Sequence, residues 1–247
     1  MVADAGTDPG GQRPVLLLTR PEPQSQRFAA QFRQRFGADW PILISPLMAL
    51  VATAPVPDLA PFAGLILSSE SAVAMLAGSG QKVTMPCYCV GARTADAARA
   101  LGARVVAVGQ DAADLAGMMT LLAPQGRMVH LCGTHVAGDL ANGLNSARIE
   151  TVSCVIYDQI AQRLSGPALD LLAGSRPLLV PLFSPRSAKL FQDQTPASGA
   201  PLWVVALSPA ASGAMTRQVA RRGVAVRPDG AAILDAMAEM ISPWRVT

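Results

Sequence analysis

The sequence of 247 residues lacks a long uninterrupted apolar run, although 51% of its residues are hydrophobic. A membrane-spanning helix needs about 20 consecutive apolar residues, so we expect no membrane span. The opening residues contain no basic region followed by an apolar core, which predicts an unexported, cytoplasmic protein. The four cysteines lie mostly in apolar stretches, and this favours buried, reduced thiols over a disulfide framework.

Charged and aromatic residues are also scarce, at 15% and 4% of the chain. Only Lys82 and Lys189 are lysines, so nearly all basic residues are arginines. Arginine suits carboxylate or phosphate ligands, but a biased composition explains this excess equally well. No basic run or aromatic-interleaved patch is present, and nucleic acid is therefore not an expected partner.

The common catalytic motifs are missing as well. The chain has no GxxxxGK[ST] phosphate loop, no GxGxxG turn, no GxSxG elbow and no HExxH helix, which argues against nucleotide hydrolysis and hydride transfer. His130, Cys132 and His135 form an H-x-C-x-x-H cluster that could bind zinc, with Cys87 or Cys89 as a fourth ligand. Because His130 and Cys132 alternate along an apolar strand, we favour buried core side chains and expect no metal.

Short apolar runs that alternate with helical patterns are the main positive feature of the sequence. This order is typical of βα units around a mainly parallel sheet, so we predict an α/β fold. The predicted strands are residues 15–19, 65–67, 87–90, 104–108, 128–131, 152–157, 178–183, 202–207 and 224–226.

The chain also resembles itself. Residues 67–72 match residues 183–188 at a constant offset, residues 90–95 match 207–212, and residues 101–105 match 222–226. Two lobes of one design are implied. The first βα unit has no partner ahead of the first copy, so it could complete the C-terminal lobe. We predict lobe 1 from residues 1–44 and 158–247, an inserted lobe 2 from residues 53–151, and connector strands at residues 45–52 and 152–157.

Hydroxyl side chains follow several predicted strands. In open α/β lobes ligands bind at the carboxyl ends of the strands, and two such lobes would form a cleft. These hydroxyls could help a helix N-terminus to bind an anion, or could simply cap the helix. The residues with this double interpretation are Ser68, Ser69, Ser71, Thr94, Ser184 and Ser187. Tyr157 ends a β-branched run and could either donate a proton into a cleft or merely pack at the strand end.

Several short motifs, taken in order, resemble the uroporphyrinogen-III synthase family. Leu-Thr-Arg-Pro at residues 18–21 is similar to the family's opening "TRP" turn, and residues 65–73 resemble its "FTSxNAV" segment. Residues 89–95 are similar to its "VGxxTA" turn, residues 155–157 to its "VY" strand, and residues 182–188 to its "FSPSA" element. Each motif alone is weak, but the colinear set covers nearly the whole chain.

The resemblance implies two flavodoxin-like lobes with parallel sheets, joined by a two-stranded connector. It further implies a monomer without a cofactor, acting on the linear tetrapyrrole hydroxymethylbilane. The reaction would be loss of water from the terminal hydroxymethyl group and ring closure with inversion of the last pyrrole. Such an enzyme needs modest acid assistance and tight control of substrate shape.

The family pattern suggests Tyr157 as the catalytic candidate, with the remaining candidates as substrate-binding residues. Arg20 could hold a substrate carboxylate, or form an ion pair near the hinge. The substrate-binding candidates are Arg20, Ser68, Ser69, Ser71, Thr94, Ser184, Ser187 and Ser208.

The sequence departs from the family pattern in two places. The last repeat reads Leu-Ser-Pro-Ala-Ala-Ser at residues 207–212 instead of "IGPTTA", so Ser208 or Ser212 would have to replace two threonine hydroxyls. Cys132 stands where the family often has an arginine. A non-catalytic two-lobed binding or regulatory protein of the same fold is the alternative hypothesis.

Overall fold

The computed structural model describes residues 12–135, 139–195 and 198–242, within which eleven strands and nine helices form. The strands are β1 (Val15–Leu18), β2 (Ile42–Ile44), β3 (Met48–Ala52), β4 (Gly64–Leu67), β5 (Pro86–Val90), β6 (Arg104–Gly109), β7 (Met128–Gly133), β8 (Thr151–Ala161), β9 (Leu178–Leu182), β10 (Leu202–Ala206) and β11 (Arg221–Val224). The helices are α1 (Glu22–Phe36), α2 (Glu70–Ser79), α3 (Ala92–Ala100), α4 (Ala112–Leu122), α5 (Leu140–Ser146), α6 (Gly166–Ala173), α7 (Pro185–Gln194), α8 (Pro209–Gly213) and α9 (Gly230–Met240).

The chain divides into two units. Unit 1 contains the described residues up to Ala49 and from Ala161 onward, and unit 2 is Leu50–Ile160. One sheet has the order β11-β10-β9-β1-β2, and the other has the order β3-β8-β7-β4-β5-β6. The recorded pairings among β1, β2, β9, β10 and β11, and among β4 to β8, are parallel. The predicted α/β fold with two mostly parallel sheets is confirmed.

The two sheets share one spatial design. Numbered along the chain within unit 1, the strands have the flavodoxin-like order 2-1-3-4-5. In unit 2, β8-β7-β4-β5-β6 has the same layout, except that the chain runs through β4, β5 and β6 before β7 and β8. The βα unit that seemed unpaired in the sequence, β1 with α1, therefore has its counterpart in β7 with α5.

Each sheet is covered on both faces, as expected for a parallel sheet. In unit 1, Leu16 and Leu18 pack into one apolar cluster while Leu17 packs into another, because successive side chains of a strand point to opposite faces. In unit 2, Leu65 and Ile66 divide between two clusters in the same way. Burying each such side chain stabilises the fold by roughly 1.5–3 kcal/mol relative to exposure.

One predicted strand differs in position from the structure. The last strand is Arg221–Val224, which begins three residues before the predicted strand at 224–226. Its arginines are held by local contacts: the Arg221 guanidinium lies 4.1 Å from the Trp203 ring centroid, and Arg222 donates to three backbone carbonyls. The predicted lobe boundaries and connector role stay a prediction.

All four cysteines are free. Cys87 and Cys89 are buried on β5 with their sulfurs 3.7 Å apart, and Cys132 and Cys154 lie on neighbouring strands. In the part of the chain that the structure describes, no group of three His, Cys, Asp or Glu side chains could hold a metal ion. No helix among the described residues has the length and apolar character needed to cross a membrane.

Candidate active site

A crevice opens in unit 2 where two neighbouring strands, β4 and β7, lead into helices on opposite faces of the sheet. β4 leads through α2 to β5 on one side, whereas β7 leads through α5 to β8 on the other. Helices α2 and α5 accordingly pack in apolar clusters on opposite faces of the sheet. Such a switch point, at the carboxyl ends of the strands, is the usual ligand site of open α/β sheets.

A cavity of about 460 Å³ occupies this crevice, a size within the range of small-molecule sites. Its walls come from the carboxyl-terminal parts of β4, β5, β6, β7 and β8, or the residues directly after them, and from the starts of α4 and α5. The lining residues are Ser68, Ser69, Val90, Gln110, Asp111, Ala112, Ala113, His130, Thr134, His135, Leu140, Tyr157, Asp158 and Gln159.

Tyr157 is turned towards this cavity by an irregularity in β8. Cys132 pairs with Val155, but the next residue, Gly133, pairs with Tyr157, so Ile156 is one residue too many. In a regular strand Ile156 and Tyr157 would face opposite sides of the sheet. The extra residue brings both into one apolar cluster, while Val155 remains 45% exposed. Bulges of this kind redirect side chains beside functional sites.

The Tyr157 ring packs directly on Gly133, and its hydroxyl is the polar tip of a buried side chain. A Cβ atom at Gly133 would come within 3.0 Å of three ring carbons of Tyr157, so only glycine leaves room for the ring. Burial raises the pKa of Tyr157, while hydrogen bonding with the Ser69 side chain opposes this rise. The phenol therefore keeps its proton at neutral pH and is available as a hydrogen-bond donor.

The two serines after β4 have different partners. Ser69 is the N-cap of α2, and its side chain accepts a hydrogen bond of 3.0 Å from the backbone N–H of Ser71. The Ser68 hydroxyl lies 2.8 Å from Nε2 of His130 on the adjacent strand β7. One serine thus contacts Tyr157, and its neighbour contacts a buried imidazole.

Charge around the cavity is acidic. Asp111 is the N-cap of α4, and Asp158 follows Tyr157 along β8, with its Oδ1 3.9 Å from Nε2 of the exposed His135. None of the described residues that line the cavity is lysine or arginine. In the described part of its lining, the cavity therefore presents two carboxylates and no lysine or arginine, together with hydroxyl and amide groups that can donate or accept hydrogen bonds.

The structure brings some predicted site residues together in unit 2 and leaves others apart. Ser68, Ser69 and Tyr157 line the cavity. Thr94 is buried in the first turn of α3, and Ser71 is buried in the first turn of α2; neither lines the cavity. Substrate contact by Thr94 or Ser71 stays a prediction.

The predicted residues of unit 1 lie at the equivalent edge of its own sheet. Arg20 follows β1, and its guanidinium lies 4.2 Å from the ring centroid of Phe183, which follows β9. Ser184 and Ser187 form a capping box at the start of α7, in which each side chain accepts a hydrogen bond from the other residue's backbone N–H. Ser208 caps α8 by accepting from the Ala211 backbone N–H. Their contact with substrate stays a prediction.

Seven polar residues that line the cavity were not predicted as site residues: Gln110, Asp111, His130, Thr134, His135, Asp158 and Gln159. The sequence pattern presents His130 and His135 only as possible zinc ligands, with a core position favoured for His130. Asp111 and Thr134 each come within two residues of a strand's end, which is the signal that could have found them. No comparable signal marks His130, because it lies inside the apolar strand β7.

The family model described as uroporphyrinogen-III synthase HemD matches residues 26–235. The chain belongs to the uroporphyrinogen-III synthase family. No curated protein matches the sequence.

Solved structures of this family are similar to the chain. A crystal structure of uroporphyrinogen-III synthetase from Helicobacter pylori 26695 matches with a TM-score of 0.65 and 16% identity, covering 93% of this chain and 100% of that chain. A variant uroporphyrinogen III synthase from the extremely thermophilic bacterium Thermus thermophilus matches with a TM-score of 0.48 and 15% identity, covering 94% and 100%. The Helicobacter structure supports the fold.

We expect His130 to make the stability of this member of the uroporphyrinogen-III synthase family depend on pH. Burial lowers its pKa from 6.5 to about 4. Between these values the unfolded chain binds a proton that the folded protein does not, so stability falls as the pH drops from 6.5 to 4, and the loss from this residue is complete below pH 4. From pH 7 to pH 5 we expect a loss of about 2 kcal/mol from this residue alone.

Urea unfolding at the two pH values measures this loss, with unit 2 followed by hydrogen exchange of the β7 amides. His130→Gln should be less sensitive to acid than the wild type by the same amount. Ser68→Ala, which keeps the buried imidazole, should retain the wild-type sensitivity. Equal pH dependence in the wild type and His130→Gln would contradict the prediction.

Proposed function

We propose that the chain is a uroporphyrinogen-III synthase, a cyclising lyase that converts hydroxymethylbilane to uroporphyrinogen III with loss of one water. The observation that carries the proposal is the placement of the Tyr157 phenol on a switch-point cavity, in a chain that belongs to this family. The cavity would receive the pyrrole ring that bears the hydroxymethyl group. Its pyrrole N–H and hydroxymethyl oxygen suit a lining that offers carboxylate acceptors and the phenol of Tyr157 as a donor.

The chemistry asks little of the protein beyond positioning. The bond between the hydroxymethyl carbon and oxygen breaks, the electron pair leaves with the oxygen, and positive charge spreads onto the pyrrole nitrogen. Tyr157 donates a hydrogen bond to the departing oxygen, which leaves as water. The proton that water takes up is balanced by the one lost from the terminal pyrrole carbon after carbon–carbon bond formation. Hydrogen bonds aimed at developing charge are the main means of stabilising such a transition state.

Acidic groups at the cavity support this assignment of the reacting ring. Asp158 and Asp111 would repel the carboxylate side chains of the substrate and attract the ring that becomes cationic. In unit 1, we propose that Arg20 binds a substrate carboxylate and that the turns at Ser184, Ser187 and Ser208 offer backbone N–H groups to others. The proposal includes a cytoplasmic monomer that works without a cofactor.

The decisive experiment supplies freshly prepared hydroxymethylbilane to the purified chain and resolves the cyclic products. We expect the type III isomer in excess of the type I isomer that forms spontaneously. Heat-denatured protein is the control for the spontaneous reaction. Type I product alone, together with saturable binding of the substrate, would instead support the non-catalytic binding or regulatory protein.

A further inference from the structure

The contact between Ser68 and His130 lies at the cavity but has no role in the proposed reaction. Ser68 is half-buried at the end of β4, and His130 is 3% exposed on β7, with the hydroxyl 2.8 Å from Nε2. Both residues line the cavity. The imidazole itself is nearly inaccessible, so it acts on a ligand only through the serine.

The equivalent position in unit 1 shows whether this strand order requires a polar side chain there. Ser69 and Ser184 are the N-caps that follow β4 and β9, the corresponding strands of the two units. The residues before these caps are Ser68 and Phe183. A hydroxyl in one unit therefore takes the place of an aromatic ring in the other.

The neighbouring strand also carries a polar residue in unit 2 where unit 1 has an apolar one. The residue five positions before the α2 cap pairs with Met128 in unit 2, and the residue five positions before the α7 cap pairs with Leu16 in unit 1. Two residues further along these strands lie His130 and Leu18. Leu18 is 1% exposed in an apolar cluster.

Phe183 packs against the cluster that contains Leu18, so the corresponding pair in unit 1 is wholly apolar. Burying an imidazole and a hydroxyl costs free energy that an apolar pair avoids. The fold thus does not require the polar pair of unit 2.

The protonation state of the pair is set by its surroundings. Burial lowers the pKa of His130 to about 4, so the imidazole is neutral at physiological pH. A neutral imidazole has one nitrogen that accepts and one that donates. If Nε2 accepts the Ser68 proton, the serine oxygen keeps its lone pairs free for a donor in the cavity.

We propose that His130 is a positioning residue: its Nε2 accepts the Ser68 hydroxyl proton and so directs the serine oxygen at the pyrrole N–H of the ring that carries the hydroxymethyl group. The inference rests on the proposed function. As the carbon–oxygen bond breaks, positive charge on that ring strengthens the hydrogen bond from its N–H to Ser68. The pair therefore acts on the same ring as Tyr157, at its nitrogen rather than at its leaving oxygen.

A set of variants tests the pair by activity. Ser68→Ala and His130→Leu should each lower kcat for type III formation about tenfold, the worth of one neutral hydrogen bond, with little change in KM. The double variant should also lose about tenfold rather than a hundredfold, because both changes remove one interaction. His130→Gln, whose amide reaches as far as Nε2, should stay within about threefold of the wild type.

Ser153→Ala is the matched control, because Ser153 is the strand partner of His130 on β8 but is exposed and outside the cavity. It should keep wild-type kcat. A hundredfold loss in the double variant, unchanged kcat in His130→Leu, or failure of His130→Gln to restore activity would each overturn the inference. Type I product alone from the wild type would overturn the proposed function, and the inference with it.

A second readout does not depend on activity. The chain contains only two histidines, so the ring nitrogens of His130 can be followed by nitrogen-15 NMR. We expect a neutral ring with the proton on Nδ1, and a shift of the Nε2 signal in Ser68→Ala. A proton on Nε2 would overturn the inference, because Ser68 would then accept from the imidazole instead of donating to it.

Discussion

Tyr157→Phe is expected to lower kcat for type III formation about a hundredfold while leaving the fold intact. Positioned proton donors contribute typically 10²–10⁴-fold, and a hydrogen bond to a developing oxyanion contributes about 10²–10³-fold. The ring stays in place because phenylalanine keeps its packing on Gly133 and within the apolar cluster. Since the lost group acts on the departing oxygen, kcat should fall while KM changes little.

Tyr88→Phe is the matched control for this experiment. Tyr88 is the only other tyrosine; it is buried on β5 in the same sheet, and burial raises its pKa as it does that of Tyr157. It lies outside the cavity lining, so its removal should leave kcat unchanged. Single-turnover measurement of type III formation, with urea unfolding of each variant, separates catalysis from stability. Unchanged turnover in Tyr157→Phe would remove this residue from the mechanism.

Most of the sheet could be predicted from sequence because each central strand is a short apolar run between polar turns. Leu178–Leu182 and Leu202–Ala206 are fully buried, and apolar composition alone marks them. The edge strand β11 was misplaced because Arg221 and Arg222 give it a polar pattern. Their charged groups are accommodated by an aromatic ring and by carbonyls from other segments, contacts that exist only once the chain has folded.

The internal repeat was recognised correctly, but its alignment was one residue out at the serines. The sequence aligns Ser68 with Ser184, because each is followed three residues later by serine. The helix caps align Ser69 with Ser184 instead. A serine-rich turn can be aligned with its repeat in two registers, and only the backbone conformation at the N-cap shows which register is correct.

In the last repeated segment the sequence alignment differs from the structural alignment by more than one residue. Residues 101–105 were matched with residues 222–226 through their glycines. Pairing instead places Arg104 beside Pro86 and Arg221 beside Trp203, so these arginines begin corresponding strands. Gly102 lies before its strand with a positive φ, whereas Gly223 lies inside β11. A glycine can thus repeat in sequence without having the same structural role.

The chemistry of the site depended on two features that sequence patterns do not contain. The hydroxyl and phenol side chains at strand ends were visible as candidates. Which of them meet depends on the register between neighbouring strands, and the extra residue at Ile156 turns Tyr157 by one position. The contact of Ser68 with His130 likewise joins residues that are 62 positions apart. A buried imidazole looks like any core residue until its neighbour is known.

Gly133→Ala is expected to reduce type III formation about a hundredfold without any change to a polar group. The added Cβ atom would come within 3.0 Å of three Tyr157 ring carbons, so the ring must move. A misplacement of about 1 Å at a reacting group can cost about 10²-fold in rate. Overpacking of this kind also destabilises a core by about 1–3 kcal/mol, which urea unfolding would show.

Gly143→Ala provides the control, because a Cβ atom in the middle of α5 meets no atom within 4 Å. It should retain full activity. The double variant Gly133→Ala with Tyr157→Phe should be no slower than Tyr157→Phe alone, since the phenol that the first change displaces is already gone. Losses that multiply would mean that Gly133 acts on the reaction by some route other than the position of Tyr157. Wild-type kcat in Gly133→Ala would show that the ring can move without harm, and that its tight packing is not what aims the hydroxyl.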